Sequence, residues 1–333
     1  MSGGRRYAVL LAALSLLTAA LFAVSLSLGP SGLSAPAAVG ALFGHGDPAA
    51  ILVMREIRLP RAILGAMIGA SLGLSGAVLQ GYLRNPLAEP GLIGVSGSAA
   101  LGAVIAIYTG AAAAFPLALP LSALAGAVVA VALLQALAGA HSGPLTLILA
   151  GVALSSVAAA LTSLALNISP NPFAAAEIMF WMMGSLSDRS MLHVGLSAPF
   201  MIVGWALLGC LGRPLDALTL GPETAASMGV RLGRLRALAV LGTASAVGAA
   251  TAVAGAVGFV GLVAPHVMRP LVDQSPSRLL PASALAGASL LLCADIATRL
   301  IPTSRDLKLG VLTAVVGAPF FLWLVLKTRR SLA

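Results

Sequence analysis

Long apolar runs broken by brief polar punctuation set the pattern of this chain. No Asp, Glu, Lys or Arg occurs in Tyr7–Gly46, Ala62–Leu83, Pro90–Ala176, Ser190–Gly212, Ala237–Met268 or Leu309–Leu326. One membrane crossing takes about 20 apolar residues, so the run from Pro90 to Ala176 accommodates several. The apolar residues are continuous and do not alternate, which argues against a membrane β-barrel. Helices are the remaining way to satisfy the backbone in lipid. The expected fold class is all-α, a polytopic transmembrane helical bundle.

Gly, Pro and charge divide the runs into elements at roughly 7–28, 60–83, 92–109, 116–140, 144–168, 191–212, 234–256, 259–270, 279–300 and 307–327. That makes about ten membrane helices in a single transmembrane domain, 1–333. The eighth is too short to cross alone and is expected as a half-helix packed inside the protein. The first apolar stretch follows Arg5 and Arg6 as a signal peptide would. It is about twice the length of a signal core, so it is read as the first span.

Composition agrees. Of 333 residues, 59% are hydrophobic and 9% charged, against about 25% charged in an ordinary soluble domain. The net charge is +9. The basic residues gather at the ends of apolar runs, which fits membrane topology and not nucleic acid. Ten elements put both termini on one side. Placing them in the cytoplasm gives the inner side Arg5, Arg6, Arg84, Arg213, Arg231, Arg234, Arg236, Arg269, Arg278, Lys327, Arg329 and Arg330. The outer side keeps Arg55, Arg58, Arg61, Arg189, Arg299, Arg305 and Lys308. The bias follows the positive-inside rule, and the remaining outer cations call for a use on that side. Cys210 and Cys293 lie in apolar runs, and the four histidines are scattered. No metal site and no cofactor is expected.

The most informative segment is Asn85-Pro86-Leu87-Ala88-Glu89-Pro90-Gly91-Leu92-Ile93-Gly94-Val95-Ser96. Its prolines stop one helix and start the next, leaving Glu89 near a helix N-terminus, where the dipole favours an anion. The whole string resembles the signature loop of the FecCD-type permeases, which serve importers of ferric siderophores, heme and vitamin B12. Arg58-Leu59-Pro60-Arg61, Leu149–Ala153, Trp181–Ser185, Leu220–Val230, Gly258–His266, Ala294-Asp295 with Arg299, and Gly310 through Phe320 are similar to further family segments, in order along the chain. One departure stands out: Lys308 replaces the proline that the family carries before its last helix.

The resemblance implies the permease subunit of an ATP-binding-cassette importer in the bacterial inner membrane, not itself an enzyme. It implies a homodimer, two copies of a cytoplasmic ATPase and a periplasmic substrate-binding protein. Neither lysine lies in a G-x-x-x-x-G-K-[ST] phosphate loop, so the sequence agrees that the motor is a separate chain. By the resemblance Arg58, Arg61 and Arg299 dock the binding protein. Their guanidinium forks suit carboxylates, but Asp295, one turn before Arg299, is a competing partner. Gly221, Pro222, Glu223, Ala226, Met228 and Gly229 belong to a coupling element at about 220–231 that presses on the ATPase. Two cytoplasmic gates are implied, one with Asn85, Pro86, Glu89 and Pro90, the other with His141 and Ser142. Ser155, Ser156, Thr162, Ser163 and Asn167 on the fifth helix either line the path or bond between helices. For His266, a structural hydrogen bond is favoured over metal binding.

An ion-coupled secondary transporter is the alternative. It needs intramembrane carboxylates or histidines, whereas Glu89, Glu177 and Asp295 fall at span ends in this reading. The cargo among siderophore, heme and cobalamin is not encoded in these motifs.

Overall fold

The computed structural model describes residues 3–29, 32–138, 143–169, 171–301 and 307–330. Among these the chain is helical, with no strand. Ten helices correspond to the ten expected elements: α1 (Gly3–Ser27), α2 (Leu59–Tyr82), α3 (Val95–Tyr108), α4 (Ala118–Ala138), α5 (Pro144–Asn167), α6 (Met191–Gly209), α7 (Leu232–Ala254), α8 (Val260–Met268), α9 (Pro276–Leu300) and α10 (Leu309–Arg330). Prolines at the first turns of α2, α5 and α9 start them cleanly, because a first-turn residue has no intrahelical use for its N–H.

Eight helices of the described chain are long and apolar enough to cross a membrane. The two short ones are α3 and α8. The half-helix at α8 was expected; the brevity of α3 was not. Its 14 residues span about 21 Å, less than the roughly 30 Å of a bilayer core. The start of the expected 92–109 element is instead a single tight turn, Pro90–Ile93, followed by Gly94 at φ 78°. A side chain at Gly94 would also meet the Gly151 carbonyl of α5 at 2.8 Å.

Helices α2, α7 and α9 form the centre. Gly69 and Gly73 of α2 lie against Gly287 and Ser283 of α9 so closely that a Cβ on either glycine would overlap a carbonyl oxygen. This is the small-residue packing by which membrane helices associate. Helices α1 and α10 lie at the perimeter, with Leu16 and Val315 turned outward. Such outward apolar side chains are what lipid covers.

Several connections carry structure that periodicity did not show, a single turn at Ala111–Ala114 among them. Residues 35–58 fold into short helices at Ala35–Leu42 and Pro48–Leu52 and a wide π-type turn at Val53–Arg58 that runs into α2. Ala38, Ala41, Ala50 and Met54 give this cap a small core of its own. A further helix covers Pro172–Met182, and two short ones, Gly212–Leu218 and Pro222–Ser227, precede α7.

Candidate functional site

At one end of the bundle, three predicted docking arginines converge with Asp295. The carboxylate is 1% exposed and lies 2.9 Å from Arg61 Nη2 and 2.6 Å from Arg299 Nη2. Arg61 Nε adds a second bond to Asp295 at 2.9 Å. Arg58, 4% exposed, donates to the carbonyls of Leu26 and Ser27 at 2.9 Å. Arg299 donates to the carbonyls of Ser25 and Leu28 at 2.8 and 3.2 Å. The last carbonyls of a helix have no partner of their own. Here Arg58 and Arg299 supply them for α1, while Asp295 anchors the second cation pair. The charge cluster therefore staples the first, second and ninth helices together.

Arg189 follows Asp188, a residue at φ 58°, in the loop that brings Ser187 Oγ within 3.4 Å of Arg61. Its Nε is buried without a hydrogen-bond partner. Burial pulls this guanidinium below its usual pKa, and neighbouring Asp188 opposes the change. Of the other cations expected on the outer side, Arg55 donates to the Leu42 carbonyl. Lys308 lies 5.9 Å from the centre of the Phe180 ring.

The signature loop divides in two. Arg84, Asn85 and Pro86 are exposed, and Asn85 Oδ1 accepts from the Leu87 N–H at 2.9 Å, the local turn for which asparagine is suited. Beyond it the chain turns inward. Ala88 and Pro90 are buried, and Pro90 packs on Gly261 of α8. Glu89 accepts from the Phe259 N–H at 2.5 Å. The sequence placed Glu89 near the helix that follows it; it serves the N-terminus of α8 instead. Phe259 has φ 68°, a costly conformation for a bulky residue, and Glu89 bonds to that residue's N–H. Burial raises the Glu89 carboxyl above its ordinary value, and the Phe259 N–H partly offsets this. The second expected gate, His141 and Ser142, lies outside the described residues.

Gln80 and Arg269 complete this region and were missed. Arg269 Nη2 donates to Gln80 Oε1 at 2.6 Å, and Gln80 Nε2 donates to the carbonyls of Ala88 and Leu262 at 3.3 and 3.4 Å. One amide thus ties the loop, α2 and α8. A signal existed: Gln80 is the one amide side chain in the charge-free run Ala62–Leu83.

At the opposite end from Asp295, the residues expected to form the coupling element lie in a helical hairpin whose first helix is Gly212–Leu218. Gly221 and Gly229 adopt φ 106° and 88°, which glycine permits, and they bracket Pro222–Ser227. Ala225 is fully buried, whereas Leu220 and Met228 are 63% and 61% exposed. Glu223 and Ala226 are exposed beside them. Asp216 Oδ1 accepts from the Ser277 N–H at 2.9 Å, tying the hairpin to the start of α9.

On α5, Ser156, Ser163 and Asn167 are exposed, Ser155 is half-buried and Thr162 is buried. Ser156 Oγ returns a hydrogen bond to Val152 at 2.9 Å. The structure thus separates Thr162 from the exposed polar positions. His266 meets Phe320 edge-on at 5.6 Å between ring centres, and its Nδ1 has no hydrogen-bond partner. The expected structural hydrogen bond is not formed at that nitrogen. Among the described residues no group of three His, Cys, Asp or Glu is placed to hold a metal.

The fold is a multi-pass helical bundle with two helices too short to cross a membrane and an exposed hairpin at one end. Comparison with known proteins gives its kind. The chain belongs to the FecCD transport family, which it matches over residues 17–327. It is 41% identical over 283 residues to the vitamin B12 import system permease protein BtuC of Salmonella paratyphi A, covering 84% of this chain and 85% of that one. The Salmonella typhi protein of the same name matches to the same extent. Among solved structures, a metal-chelate type ABC transporter in an inward-facing conformation superposes with a TM-score of 0.84 at 33% identity. That match covers 96% of this chain and 99% of the other.

Proposed function

We propose that this chain, acting as one unit, is the permease subunit of an ATP-binding-cassette importer that brings a metal chelate into the cytoplasm. Ferric siderophore, heme and cobalamin are the candidate class. Cobalamin is favoured, because relatives 41% identical are named for vitamin B12 import. The observation that carries the mechanism is the hairpin over 212–231, with Leu220 and Met228 exposed on a surface tied by Asp216 to α9. Apolar side chains held at the mouth of a membrane bundle suit a protein partner. In this reading two cytoplasmic ATPases press on two copies of the hairpin in a homodimer of the inner membrane. Gly221, Pro222, Glu223, Ala226, Met228 and Gly229 form the contact, and both termini are cytoplasmic.

The opposite end then faces the periplasm. A binding protein docks its carboxylates there on the outward edges of Arg61 and Arg299, with Arg189 in the adjoining loop. Arg58 supports this surface from below. Asn85, Pro86, Glu89 and Pro90 form one cytoplasmic gate, with His141 and Ser142 in the other. Polar Ser156, Ser163 and Asn167 on an exposed helix face are costly against lipid, which supports a path along the dimer axis, with Ser155 and Thr162 behind it.

Ion coupling is disfavoured because the buried carboxylates are committed: Asp295 to two arginines and Glu89 to a backbone N–H. The test is cyanocobalamin uptake into proteoliposomes containing this chain, with and without its partner ATPase. Accumulation that requires the ATPase and ATP, and that survives ionophores, is expected. Uphill uptake by the chain alone would sink the proposal.

A further inference from the structure

A pocket of about 490 Å³ opens between the end of α6, the Gly212–Leu218 helix and the first turns of α7. Its walls include Leu211, Leu235 and Leu238, and Arg213, Arg231 and Arg234 surround its mouth. The three arginines are exposed. Among the described residues none of them has a hydrogen bond or ion pair, unlike Arg236 beside them. Helix stability does not explain them, since Arg231 and Arg234 stand at the N-terminus of α7, where no acidic residue offsets the dipole and cations are disfavoured. Topology explains which side of the membrane they occupy, but not why they meet at one apolar cavity.

Helices α6 and α7 are both membrane spans by length and composition, and the pocket lies where they end, the level at which a span of that length meets lipid headgroups. Arginine forks bind phosphate oxygens, and basic pockets between membrane helices hold anionic lipid headgroups. We propose that this pocket binds an anionic phospholipid of the adjoining leaflet. The phosphate lies among Arg213, Arg231 and Arg234, and an acyl chain lies along Leu235 and Leu238. Met228 and Gly229 form part of the same wall, so the bound lipid buttresses the hairpin from beneath.

Native mass spectrometry of the full-length permease in detergent tests this with cardiolipin, phosphatidylcholine and inorganic phosphate as probes. Wild type is expected to retain cardiolipin over phosphatidylcholine. The variant R213Q/R231Q/R234Q is expected to lose about a hundredfold in cardiolipin affinity, near fivefold per arginine. Millimolar inorganic phosphate is expected to leave the lipid in place. Should the triple variant not fold, Leu238→Trp keeps the cations and fills the apolar floor, and it should also lose the lipid.

Equal cardiolipin retention by wild type and variant would overturn the proposal. Equal retention of phosphatidylcholine by wild type would do the same. Displacement by inorganic phosphate would show a free-anion site and overturn the lipid. A triple variant that keeps its lipid but no longer captures the ATPase would assign the pocket to that partner instead. These readings use the permease alone or with its ATPase and require no uptake, so failure here leaves the transport proposal standing.

Discussion

The two ends of the bundle use their arginines in opposite ways. At the Asp295 end, Arg58, Arg61 and Arg299 spend their donors on a buried carboxylate and on the last carbonyls of α1. At the other end, Arg213, Arg231 and Arg234 surround a pocket, and nothing in the described chain accepts from them. The first set holds helices together; the second is presented outward. Counting cations on each side of a membrane predicts orientation but does not separate these two uses. What separates them is burial and the presence of an acceptor.

The sharpest way to break the comparison is Asp295→Ala. It leaves Arg61 and Arg299 with an uncompensated buried charge, a loss of about 3–5 kcal/mol. Thermal unfolding in detergent should show a markedly lower midpoint and reduced folded yield. A variant as stable as wild type would mean that the cluster is not a staple. Glu89→Ala should have a smaller effect, about 1–3 kcal/mol, by leaving the partly buried Phe259 N–H unpaired. The same unfolding measurement reads it, with Glu89→Gln expected to recover part of the loss. Leu220→Asp combined with Met228→Asp should change stability by only about 0.5 kcal/mol, as exposed substitutions usually do. Co-purification of the ATPase should nevertheless fail. Retained assembly would remove the hairpin from the proposed contact.

Much of the fold was legible because lipid imposes one strong rule: apolar length. The run around α5 shows its helix to within one residue and those around α6 and α9 to within three, with Pro144 and Ser190 marking the starts of two of them. The cap at 35–58 was not legible, since its helices are too short for a periodic signal and rest on a core of alanines and Met54. The shortness of α3 was hidden for another reason: Pro90–Gly94 carries no charged residue to set it apart from the helix it precedes.

For the site, residue types were easier to read than partners. Asp295 with Arg299 was visible as a one-turn pair, but Asp295 with Arg61 joins positions 234 residues apart, and no local pattern encodes it. Glu89 was recognised as a helix-terminal anion, yet the helix end it serves belongs to Phe259, 170 residues away. The coupling element at about 220–231 was legible only through the family resemblance, and no local pattern shows that it belongs to a helical hairpin in which Asp216 holds Ser277.

Hydrogen exchange on the reconstituted permease, with and without its ATPase, tests most directly the claim that the hairpin end, and not the Asp295 end, is built to receive the ATPase. Adding the ATPase should slow exchange in 219–230 and leave 58–61 and 295–299 as they were. Unchanged exchange in 219–230, or protection confined to the segments around Arg61 and Asp295, would contradict it.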